Sequence, residues 1–228
     1  MKLEISTFTD RGDREYQEDR YCHYGEDSWH LFAVVDGMGG HPHGDLAAES
    51  AIAAIRSIRE QLTTAIENQQ AFDIISLVQS AYHKAHAECV GAGDERGCTL
   101  VTLLVVENNA WFFNCGDSFG FGFKDDKVET ITIEHSGWQG YLTACIGGYA
   151  GPGAATPPRV DTFSLPDWQD YQYLVLASDG ITNPCNLKLP ADNEIPAEAF
   201  GIQGLARYQA QAPSRRDNCT VIAIKMPS

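Results

Sequence analysis

The chain has 228 residues, room for one domain with a sizeable core. Its 43% hydrophobic and 21% charged residues exclude a disordered or fibrous protein. Sixteen basic residues against 31 acidic ones leave a net charge of −15. Such a chain repels phosphate backbones and anionic lipid, so nucleic-acid and membrane-surface roles are disfavoured. An acidic excess serves solubility, and it also suits a protein that gathers carboxylates around divalent cations.

Seven cysteines, an odd number with no Cys-x-x-Cys pair, fit neither a zinc ribbon nor a closed disulfide set. Cys98, Cys115 and Cys219 lie in or beside apolar runs and are expected to pack as small hydrophobes. The first ten residues contain no apolar leader, and the longest uncharged run, 135–158, is too rich in Gly and Pro for a spanning helix. A cytoplasmic protein is expected.

In chain order, short runs rich in Val, Ile, Phe and Tyr predict strands at 3–8, 20–24 and 30–35. Two helical segments follow. Apolar residues at 48, 51, 52, 55, 58 and 62 predict a helix over 45–62, and those at 71, 74, 75, 78, 81, 82, 85 and 89 a second over 70–90. Strands are then predicted at 99–106, 110–114, 120–124, 128–133, 160–165 and 173–177, a weaker helix at 197–210, and a last strand at 220–225. Connections as short as 107–109 and 125–126 require hairpins, hence antiparallel pairing. No linker or repeat interrupts the pattern, so residues 1–228 read as a single domain of packed sheets covered by helices, an α+β arrangement.

Acidic residues recur where strands meet turns. Asp36 follows the buried run 31–35 and precedes Gly37-Met38-Gly39-Gly40, while Asp179 follows 173–178 and precedes Gly180. Glu18 and Asp19 stand just before the second strand, and Asp217 just before the last. In antiparallel sheets the end of one strand lies beside the start of its neighbour, so these groups can meet at one edge. Carboxylates crowded together raise one another's pKa, and divalent cations remove that cost. Oxygen-only ligands select hard ions such as Mg²⁺ or Mn²⁺. A single Asp-Gly after a strand is ordinarily a turn; four such placements weaken that explanation. Spacing by itself does not separate a catalytic cluster from a structural cation site.

The same stretches, in order, resemble the metal-dependent serine/threonine protein phosphatases of type 2C (PPM). Gly12 through Arg14 to Gln17-Glu18-Asp19 is similar to that family's opening motif, and Asp36-Gly37-Met38-Gly39-Gly40 to its Asp-Gly-Met/His-Gly-Gly signature. Gly97-Cys98-Thr99, Asn114-Cys115-Gly116-Asp117-Ser118, Leu142-Thr143-Ala144-Cys145-Ile146-Gly147, Ser178-Asp179-Gly180-Ile181-Thr182 and Asp217-Asn218-Cys219-Thr220-Val221 complete the series. The resemblance implies two packed antiparallel sheets flanked by helices, an αββα sandwich with a binuclear Mn²⁺/Mg²⁺ centre at one end. By motif, Asp36 would bridge two metals, Glu18 and the Gly37 carbonyl would serve one, and Asp179 and Asp217 would hold the other. Asp19 would orient a metal-bound water, and Arg14 would grip the substrate phosphate through its guanidinium fork. Asp117 is the candidate ligand for a third ion. Phosphorylated proteins are the implied substrates, with a cognate Ser/Thr kinase as the functional counterpart, no nucleic-acid or membrane partner, and a monomeric state.

Several positions depart from the pattern. Met38 stands where some members carry a His acid, leaving His41 and His43 as nearby candidates. Phe119 and Ala144 replace arginines of the pattern. Glu134-His135-Ser136 is followed almost at once by Leu142, where bacterial relatives insert a flap of a few dozen residues. An unusually open site is therefore expected, with 147–158 as a surface loop. His83 and His86 are expected at the surface, and Trp29, Trp111, Trp138 and Trp168 in the core or at its rim. Three readings stay open: an active protein phosphatase, a binding module on the same fold, and a hydrolase of small phosphoesters.

Overall fold

Strand β3 (Trp29–Val35) is buried along nearly its whole length, and the alternation of its side chains explains why. Leu31, Ala33 and Val35 face a helix layer, whereas Phe32 and Val34 face a second sheet. The same division holds in β11 (Tyr173–Ala177) and β12 (Cys219–Lys225): Leu174, Leu176, Ile222 and Ile224 point inward, while Val175, Ala177, Val221 and Ala223 meet the opposite helix. Strands covered on both faces read as continuous apolar runs. Strands and helices together make an α+β sandwich of two antiparallel sheets flanked by helices, as expected. The computed structural model describes residues 3–38, 43–68, 71–137, 141–148, 157–181, 184–211 and 216–226.

One sheet joins β1 (Glu4–Asp10), β7 (Phe119–Lys124) and β8 (Lys127–Thr130) to β11 and β12, in the order β1-β12-β11-β7-β8. The other joins β2 (Arg20–Glu26), β5 (Leu100–Val106), β6 (Asn109–Cys115) and β10 (Asp161–Ser164) to β3, in the order β10-β6-β5-β3-β2. A small pair, β4 (Gly97–Cys98) and β9 (Ile146–Gly147), ties the loops together. Helices α1 (Gly44–Ser57), α2 (Arg59–Glu67) and α3 (Ala71–Ala92) form the helix layer over the second sheet, and α4 (Pro196–Gln211) covers the first. Ala47, Ala51 and Ala54 let α1 lie close to its sheet. The Tyr82 hydroxyl donates to the Phe113 carbonyl (3.0 Å) and anchors α3.

Four local expectations need correction. The helix expected over 45–62 breaks at Ile58. There the Ser57 hydroxyl donates back to the Ala54 carbonyl (2.8 Å), competing with the helical ladder. The strand expected over 99–106 starts one residue later, at Leu100, because the Thr99 N–H is drawn to the Asp36 carbonyl (2.8 Å). The strand expected over 128–133 stops at Thr130, because the Ile131 and Thr132 N–H groups both turn onto the Gly120 carbonyl. His86 is buried rather than superficial: its Nδ1 accepts the Gly147 N–H (3.0 Å). Cys98, Cys115 and Cys219 are buried as expected, as are Trp29 and Trp168, and Phe119 is buried too. Trp138 and most of 147–158 lie outside the described residues.

Candidate active site

Each sheet delivers carboxylates to the same end of the sandwich. From one sheet, Glu18 and Asp19 precede β2 and Asp36 follows β3; in the register of that pair Arg20 faces Val35. From the other, Asp179 follows β11 and Asp217 precedes β12, with Ala177 facing Val221. Asp117 sits where the chain crosses from β6 in one sheet to β7 in the other. The neighbouring-strand argument therefore operates twice, once per sheet, and stacking the sheets joins the two halves. Arg14, Glu18, Asp36, Gly37, Asp117, Asp179 and Asp217 all line one cleft of about 480 Å³.

Close backbone approach builds this cleft. A Cβ on Gly37 would lie 2.5 Å from the Gly44 carbonyl oxygen and 2.9 Å from that of Glu18, atoms fixed in the backbone. Only glycine lets the turn after Asp36 nest against the start of α1. Gly12 takes a positive φ of 61° and packs against the Asp217 backbone, which brings the Arg14 loop to the cleft.

Asp19 is buried and, unlike Glu18 and Asp36, does not itself line the cleft. Its Oδ2 accepts the Ser178 hydroxyl (2.8 Å), and Ser178 Oγ in turn accepts the Thr220 N–H (2.9 Å). Its Oδ1 is buried with no hydrogen-bond partner among the described residues. Burial pushes the Asp19 carboxyl up to about 6. Burial, then Asp117 and Asp217, pushes Asp179 up to about 7. Burial and the neighbouring Asp19 and Asp179 raise Asp36 well above the usual carboxylate range. Asp117 and Glu18 are also raised, chiefly by burial; Arg14 acts in the opposite sense on Glu18. Arg14 forms an ion pair with Asp217.

An all-oxygen donor set in which burial and mutual repulsion oppose ionisation suits hard divalent cations. Among the described residues, however, no three His, Cys, Asp or Glu side chains form a preformed metal cage.

Of the candidate proton donors, His43 is exposed, with Nε2 3.9 Å from Asp94, and it does not line the cleft. His41 lies outside the described residues, and Met38 lines the cleft. Sequence reasoning missed the supporting residues. Asn218 accepts the Glu18 N–H (2.8 Å) and donates to the Arg11 (2.8 Å) and Tyr16 (3.0 Å) carbonyls, stapling the Arg14 loop to β12. His135 is buried between Asp161 (3.1 Å) and the Gly116 N–H (3.3 Å), and so braces the turn that carries Asp117. A polar residue beside an acidic one at the end of an apolar run was the available signal for Ser178 and Asn218.

In place of a flap the chain makes a tight return. Ser136 bridges Leu142, the Gly137 N–H donates to the Tyr141 carbonyl (2.7 Å), and the Thr143 N–H to the His135 carbonyl (2.7 Å).

The sequence profile described as "Protein phosphatase 2C" matches residues 11–212. The chain is 29% identical over 198 residues to a serine/threonine phosphatase, stp, of Listeria innocua, covering 77% of this chain and 76% of that protein. It is 26% identical over 246 aligned positions to the protein phosphatase PhpP of Streptococcus pneumoniae, covering 98% of each. A crystal structure of a bacterial serine phosphatase carrying a point mutation superposes with a TM-score of 0.76 at 25% identity, over all of this chain and 99% of that one.

Proposed function

The chain belongs to the protein phosphatase 2C family, and we propose that it hydrolyses phosphoserine and phosphothreonine in proteins at a pair of Mn²⁺ or Mg²⁺ ions. The observation that carries this reading is the meeting of buried carboxylates from both sheets, their pKa values raised by burial, in one cleft with an arginine. Asp36 would bridge the ions, Glu18 and the Gly37 carbonyl would serve one, Asp179 and Asp217 the other, and Asp117 is the candidate for a third. When bound, the ions lower the pKa of water and neutralise charge developing at phosphorus.

The chain's own groups do the rest. Arg14 exchanges its contact with Asp217 for the substrate phosphate, whose two oxygens match the guanidinium fork. Asp19 Oδ1 accepts a hydrogen bond from the attacking water, directing its lone pair at phosphorus, while Ser178 holds the carboxyl still through Oδ2. No cysteine or serine nucleophile is required. Phosphorylated proteins are the substrates and a Ser/Thr kinase the opposing activity; the protein works as a monomer in the cytoplasm. Among the described residues no helix is long and apolar enough to cross a membrane.

The test is turnover of para-nitrophenyl phosphate and of a phosphothreonine peptide in Mn²⁺, before and after EDTA. Turnover of both, abolished by EDTA and restored by Mn²⁺, is the expected result. Turnover of the small ester alone would make the protein a small-phosphoester hydrolase. Folded protein inactive in every divalent metal would make it a binding module.

A further inference from the structure

Tyr141 is 72% exposed and yet lines the cleft, the one aromatic side chain among the described residues that does so. The other exposed large apolar side chains among the described residues, Tyr16 on the Arg14 loop included, do not line the cleft. Tyr141 differs because its backbone is held. Its carbonyl accepts the Gly137 N–H, and the two residues after it are tied by the Ser136–Leu142 bridge and the bond from the Thr143 N–H to the His135 carbonyl, so the ring is displayed from a braced position. His135, whose carbonyl takes the Thr143 N–H, is braced in turn by Asp161 and the Gly116 N–H.

Electrostatics decide what such a ring would meet. The chain carries a net charge of −15, and two divalent cations would offset only four of those charges. Glu134 is exposed on the same return, where the Ser136 hydroxyl donates to its Oε2 (3.4 Å). A ring set in acidic surroundings attracts a cation over its face, most readily a guanidinium.

We propose that Tyr141 is a specificity-determining residue, stacking on an arginine or lysine that flanks the phosphorylated residue, so that the site selects phosphopeptides with a basic neighbour. This rests on the protein-phosphatase reading above and names the substrate class within it.

The experiment compares kcat/KM for two phosphothreonine peptides, one with Arg and one with Ala beside the phosphothreonine, in Mn²⁺ at low salt. The wild-type protein is expected to favour the Arg peptide by roughly threefold to tenfold. Tyr141→Ala should reduce that preference through KM, and Tyr141→Phe should keep it. Exposure of the side chain makes misfolding no obstacle, and a thermal melt of each variant checks this. A wild-type protein without the preference, or a Tyr141→Ala variant that retains all of it, overturns the inference while leaving the phosphatase reading intact. Failure of the wild-type protein to turn over either peptide overturns that reading, and this inference with it.

Discussion

The two ends of the sandwich treat their charges in opposite ways. At the end where β12 finishes and β11 begins, ionic groups meet water and ordinary partners: Lys124 pairs with Asp170 (2.9 Å), and Lys225 lies 3.9 Å from Glu4. At the other end Asp179, Asp36 and Asp19 are withdrawn from bulk water and crowd one another, with carboxyl groups raised by burial. Exposed pairs contribute little to stability and nothing to chemistry. A buried, crowded set costs stability in the metal-free chain and gains a use only when something cationic joins it. Where a fold tolerates such a cost is where function is to be sought.

Replacing one carboxyl at each end gives the largest expected contrast. Asp36→Asn should lower metal-dependent phosphatase turnover on the order of a thousandfold, about 4 kcal/mol of activation free energy. Asp170→Asn, at the far end, should leave turnover within about twofold, because it breaks only an exposed pair. Steady-state kinetics in Mn²⁺ reads both. Comparable losses from the two variants would remove the distinction between the ends.

The second contrast is in pH. Asp19 is raised to about 6 and Asp179 to about 7 in the folded chain, against a usual value of 3.8. Folded carboxyls with raised pKa values hold protons that the unfolded chain has already lost. The stability they allow is therefore full below the usual carboxylate range and declines as pH rises through about 6 to 7. Metal-free protein in EDTA should lose on the order of 3 kcal/mol between pH 5 and pH 8. Mn²⁺ should restore it at pH 8 by binding the ionised form. Chemical denaturation at the two pH values checks the sign; a metal-free protein more stable at pH 8 would contradict it.

The strands and the acidic positions were legible because both are local signals. Uninterrupted runs such as 31–35 and 173–177 announce strands covered on two faces, and Asp36 and Asp179 stand at their ends. How the two halves of the cleft meet was not legible, since each half follows from strand pairing within one sheet whereas their meeting follows from packing between sheets. Nor was the break at Ile58, which depends on one hydroxyl turning inward. His86 read as superficial because its partner, the Gly147 N–H, is 61 residues away. Asn218 was visible only as a motif letter; its partners Arg11, Tyr16 and Glu18 lie 200 or more positions off.

Asn218 supplies the smallest and most local contrast. It is buried, and it satisfies two carbonyls and one N–H of the 11–18 loop at once. Asn218→Ala leaves those three backbone groups without that partner, and each such hydrogen bond contributes about 1 kcal/mol net, so a loss of about 2 kcal/mol is expected after partial rehydration. Lys124→Ala removes a bond of similar length at the far end (2.9 Å), yet water reaches that ammonium and screens its pairing with Asp170, so its effect should be far smaller. Urea denaturation of both variants in EDTA at pH 7 measures the difference. Equal effects would mean that the loop carrying Arg14 is held by packing rather than by this staple, and the position of Arg14 would then need another explanation.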